Sequence, residues 1–75
     1  MIKINALDAF FIDQGYLPNR SADGNTFTKG DSIYEFTDDF EFELDTIKEK
    51  MGEELFYKFH NYYNDKFKMK SKRLP

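Results

Sequence analysis

Apolar residues first recur at helical spacing near the N-terminus. Leu7, Phe10 and Phe11 fall on one face of a helix expected over residues 5–15, with Ala6 and Gln14 at its flanks. Asn5 is a favourable N-cap, and Asp8 three residues on completes a capping-box-like exchange. Gly15 supplies a left-handed stop, and Pro18 blocks continuation. Residues 18–25, Pro-Asn-Arg-Ser-Ala-Asp-Gly-Asn, read as loop by composition. Thr26-Phe27-Thr28 reads as a short strand and Lys29-Gly30-Asp31 as a turn. Ser32-Ile33-Tyr34-Glu35-Phe36 reads as the partner strand.

Two periods compete in the next stretch. Phe40-Glu41-Phe42-Glu43-Leu44 alternates strictly, as a half-buried strand does; with Thr37-Asp38-Asp39 as the turn, it would pair with residues 33–36. Phe36, Phe40, Leu44, Ile47 and Met51 also form a helical stripe. Phe42 favours the strand, because a helix would leave its ring opposite that stripe, in water. From Asp45, a possible cap, the pattern is helical: Ile47, Met51, Leu55, Phe59 and Tyr62 or Tyr63 follow at helical spacing. Gly52 interrupts this run. It marks either a kink or a break at which Glu53 and Glu54 open a second helix at its positive end. The expected fold is α+β: an N-terminal helix, a small antiparallel meander and a long C-terminal helix packed on it. Residues 1–65 form one domain and residues 66–75 a basic tail, with no internal repeat.

The chain has 75 residues and no cysteine. A chain this short buries only about 60% of the surface its unfolded form exposes. With disulfides and thiolate metal sites excluded, aromatic packing or self-association must supply the margin. Nine Phe and five Tyr are available, each able to bury roughly 150–250 Å². Apolar surface left over on so small a body predicts a homodimer, with Phe56, Phe59, Tyr63 and Phe67 as the contact residues. The N-terminus shows no signal-peptide pattern, and no apolar run approaches the roughly 20 residues of a membrane span. The expected location is the cytoplasm. The sequon-like Asn19-Arg20-Ser21 is read as a chance match.

Catalytic chemistry has little to draw on. His60 is the single histidine; none of Ser21, Ser32 and Ser71 lies in a nucleophile-elbow context. Carboxylates are plentiful, but a pair with a raised pKa needs an enclosing pocket. Asp23-Gly24-Asn25 resembles the start of a calcium loop, yet Phe27 breaks that spacing and a turn is the better reading. The expectation is a protein that is not an enzyme and has no cofactor and no metal.

Charge changes the picture more. The net charge of −3 conceals ten acids and two bases, Lys48 and Lys50, between Asp31 and Glu54, against five bases and no acid from Lys66 onward. As a strand, residues 40–44 would place Phe40, Phe42 and Leu44 on one face and Glu41 and Glu43 on the other, the two carboxylates about 6.7 Å apart. Glu35 would share the acidic face, Asp38 and Asp39 would extend it, and Asp45, Glu49 and Glu53 would carry it onto the helix at i, i+4 spacing. DNA presents negative charges at intervals on the order of 7 Å along each strand. Such a row therefore suits the lysines and arginines with which a DNA-binding protein holds phosphates. The plainer reading is a solvated face, against which stands the scarcity of interspersed bases.

With Glu35-Phe36-Thr37-Asp38-Asp39-Phe40-Glu41-Phe42-Glu43 at its centre, this short, cysteine-free, aromatic-rich and acidic chain resembles the small early proteins with which bacteriophages disable host machinery. Within that group it resembles the DNA mimics, including those that block the nucleoid protein HU. The resemblance, over residues 31–54, is one of size and charge character. It implies a DNA-competitive inhibitor, often dimeric, acting in a bacterial cytoplasm, with HU or a similar basic DNA-binding protein as partner. Direct DNA binding and membrane association are not expected. The basic tail departs from the pattern. It is read as a solubilising end, or as a contact to nucleic acid or a membrane surface assisted by Phe67 and Met69. Two alternatives remain: a small nucleic-acid-binding protein using the tail and tyrosines such as Tyr57, and a structural homodimeric assembly protein.

Overall fold

A computed structural model describes residues 1–67. The fold is α+β, with three helices and two antiparallel sheets: β1 (Ile2–Lys3), α1 (Ile4–Asp13), β2 (Leu17–Ser21), β3 (Gly24–Lys29), β4 (Ser32–Phe36), β5 (Glu41–Phe42), α2 (Leu44–Met51) and α3 (Glu53–Phe67). Strands β2, β3 and β4 form a meander in sequence order, and β1 pairs with β5 in a separate ribbon.

The first helix starts earlier than Asn5 and needs no side-chain cap. Lys3 occupies the N-cap position without a capping hydrogen bond. The N–H of Ile4, one of the donors a helix start leaves unpaired, instead donates to the carbonyl of Phe40 at 2.8 Å. The β1–β5 ribbon thus does the work expected of Asn5. Asp8 pairs with Arg20 rather than reaching back to the helix start. Gly15, at φ 90°, ends the helix as its position predicts.

The meander is larger than its apolar pattern indicates. Of the stretch 18–25 read as loop, Gly24 and Asn25 begin β3 and residues 18–21 belong to β2, an edge strand whose register with β3 runs from Leu17↔Thr28 to Ser21↔Gly24. Four of its five residues are exposed, so burial imposes no alternation to be read. Pro18 is tolerated because an edge position leaves its missing N–H without consequence. The β3–β4 hairpin forms as expected, closing at Lys29↔Ser32 around Gly30 and Asp31.

Residues 40–44 resolve into both competing patterns. Only Glu41 and Phe42 are strand, and helix begins at Leu44. Their partner is β1, in the register Ile2↔Phe42 and Lys3↔Glu41, rather than β4. Of the three residues expected on one buried face, only Phe42 is inside; Phe40 and Leu44 are exposed.

The single long C-terminal helix is two helices. Gly52, at φ 87° and ψ 156°, breaks the run. Glu53 and Glu54 open α3, where the helix dipole favours their charge. The break re-aims the chain, so α3 buries Phe56 and Phe59 while Leu55 is only half-buried. The core is largely aromatic. Phe11 stacks on Phe27 at 4.1 Å between centroids. Phe10 meets Phe11, Phe59 and Tyr62 edge-on at 5.3–5.5 Å, and Phe36 meets Phe42 in the same way. Edge-to-face pairs contribute about 0.5–1.5 kcal/mol each beyond their buried area.

Candidate functional site: an acidic surface

The acidic surface is organised by two residues of β3 that carry no charge. A Cβ on Gly24, at φ 141°, would lie 2.5 Å from the carbonyl oxygen of Phe36, so only glycine lets the start of β3 approach the end of β4 this closely. Next to it, Asn25 is buried. Its side-chain amide donates to the carbonyls of Thr37, at 2.7 Å, and Asp39, at 3.2 Å. The hydroxyl of Thr37 donates to the carboxylate of Asp39 at 2.8 Å. Because the carbonyl of Phe40 accepts from Ile4, the turn over residues 37–40 is held from both sides. Sequence reasoning treats Asn25 as one more turn former. The available signal was its place beside a glycine one residue before an alternating strand.

All eight acids of the predicted belt, Glu35, Asp38, Asp39, Glu41, Glu43, Asp45, Glu49 and Glu53, are exposed. They do not form one row. Asp38, Asp39, Glu41 and Glu43 follow one another along the pinned turn and β5. Glu41 and Glu43 flank the buried Phe42, so the two carboxylates project from the same side. Lys3 stands directly across from Glu41 and introduces one positive charge. Glu35 lies apart, on the outer face of the meander opposite Thr26, because Tyr34 and Phe36 take the inner face.

Asp45 and Glu49 share the outward face of α2, as their i, i+4 spacing requires. Lys48 and Lys50 flank them and make that helix face close to neutral. Lys48 also leans over the ring of Phe56, 6.0 Å from its centroid. Glu53 does not continue the α2 row, because Gly52 intervenes. Its carboxylate accepts a hydrogen bond from the hydroxyl of Tyr57 at 2.7 Å, which holds the Tyr57 phenol above its usual pKa.

The residues expected to join two copies are placed differently. Phe56 and Phe59 are 8% and 0% exposed, both part of the chain's own core, with Phe59 against Phe10 of α1, so neither ring is presented to a second chain. Tyr63 is half-buried on the same helix, tilted against the Phe59 ring at 5.7 Å. Lys66, the first residue of the basic tail, is exposed in the last turn of α3; the side chain of Phe67 and residues 68–75 lie outside the described residues.

His60 is half-buried, with Nδ1 3.4 Å from the side-chain nitrogen of Asn64. Among the described residues no three His, Asp or Glu side chains are placed to share a metal ion, and no helix is long and apolar enough to cross a membrane. No protein-family model, curated protein or solved structure matches the chain.

Proposed function

We propose that the chain is a non-enzymatic inhibitor. Its acidic surface occupies the phosphate-binding groove of a basic DNA-binding protein, in competition with DNA. The observation that carries this reading is the run Asp38, Asp39, Glu41 and Glu43, all exposed on backbone that Asn25 and Ile4 hold in place. Carboxylates on a fixed backbone present charge without the ordering cost a mobile acidic loop would incur on binding. The centre of action narrows to that run, since Lys48 and Lys50 offset Asp45 and Glu49. The resemblance to phage DNA mimics points to a nucleoid protein such as HU, and hence to a bacterial cytoplasm.

The test is displacement of a labelled duplex from purified HU. The chain is expected to release DNA, with no complex containing all three components. Reversing Glu41 and Glu43 to Lys together should weaken competition at least about tenfold, because lost attraction and new repulsion act on one groove. Glu41→Gln alone should cost little. A double reversal that folds and competes as well as the parent, or a stable three-part complex, sinks the proposal.

A further inference from the structure

Three exposed large apolar side chains, Met1, Phe40 and Leu44, line adjoining clefts beside the pinned turn. Met1 is 70% exposed and Phe40 73%, and Leu44 is also exposed. Met1 lines two clefts, one of about 420 Å³ with Asp39, Phe40 and Glu41, the other of about 280 Å³ with Ile2, Glu43, Leu44 and Tyr63. Met1 therefore joins Phe40 and Leu44 into one apolar strip, and the acids lining the same clefts are Asp39, Glu41 and Glu43. Phe40 cannot easily turn inward. The carbonyl before its own is held by Asn25 and its own carbonyl by Ile4, so the backbone fixes the ring in water. A ring left exposed withholds apolar burial that a partner can recover.

We propose that this strip is an anchor site for a basic arm of the partner, a segment in which lysines or arginines flank a large apolar residue. The proposal deepens the acidic-competition reading and rests on it. Charge complementarity selects the occupant. Three carboxylates rim an apolar floor and outnumber the one positive group there, the ammonium of Met1; no lysine or arginine side chain lines either cleft, Lys3 lying outside them across from Glu41. A second copy placed symmetrically on the strip would bring the same three carboxylates against themselves. DNA lacks the apolar anchor, so the strip adds to binding what phosphate imitation alone does not.

The probe is a fluorescent peptide of alternating lysines with one Phe and one Leu, titrated against the full chain by anisotropy. A control peptide replaces both apolar residues with Ser at equal charge. The first peptide should bind about tenfold or more tightly than the control, and that margin should survive added salt. Phe40→Ser should remove the margin without lowering the melting temperature, since the ring is exposed. Equal binding of both peptides, unchanged by Phe40→Ser, overturns the anchor and leaves the acidic reading standing. Failure of both peptides to bind at low salt counts against both readings. If the margin is seen only after deletion of residues 68–75, the chain's own tail is the occupant and a foreign arm is excluded. If Phe40→Ser converts a dimer to a monomer in sedimentation, a second copy occupies the strip and the proposal is likewise overturned.

Discussion

The side chain of Asn25 serves the carbonyls of Thr37 and Asp39 from a buried position. Removing it leaves two acceptors to find water or to move. Asn25→Ala should cost about 1–3 kcal/mol, seen as a lower melting temperature with faster amide exchange through residues 37–40. Tyr34 gives the pH dependence at the same scale. Burial, with Tyr16 beside it, holds its phenol above the usual 10.0. The folded chain keeps a proton that the unfolded chain releases. This contribution is fully present below the unfolded value and is lost as pH rises through the folded one. Melting temperatures measured from about pH 9 to about 11 should fall, and Tyr34→Phe should flatten the decline.

Among the elements, the α2–α3 junction separates two physical pictures most sharply. In one continuous helix, Gly52→Ala would stabilise the chain by about 1 kcal/mol through helix propensity. At φ 87° and ψ 156° the backbone lies where side chains are strained, although nothing crowds a Cβ there. Gly52→Ala should instead destabilise by about 1–3 kcal/mol in denaturant unfolding. The same contrast explains what could be read from sequence. The helix around Leu7, Phe10 and Phe11 and the hairpin around Phe27 were legible because burial imposes a period on them. β2 was not, since an exposed edge strand has no period to impose. The partner of β5 was not, because two-residue strands at Ile2 and Phe42 carry too little pattern to find each other across 40 positions. The exposure of the eight acids was legible from their charge. Their division into separate groups depends on Gly52 and on the β1–β5 pairing, which charge does not encode.

At the scale of the whole molecule, the net charge of −3 is unevenly divided: ten acids and two bases lie between Asp31 and Glu54, and five bases and no acid from Lys66 onward. An acidic segment of this size steers a basic partner from a distance and is attenuated by salt. The competition expected of Glu41 and Glu43 should therefore weaken steeply between low and physiological ionic strength. The Ile4–Phe40 hydrogen bond gives this molecule a built-in reporter. The ribbon that carries it is two residues long on each side, the kind of element that opens locally before the core does. Under native conditions the Ile4 amide should exchange with solvent faster than the amides deep in α1. A partner seated on the turn would restrain that opening and slow exchange at Ile4. One backbone proton in the N-terminal helix would then record occupancy of the turn from beneath, through the carbonyl of Phe40.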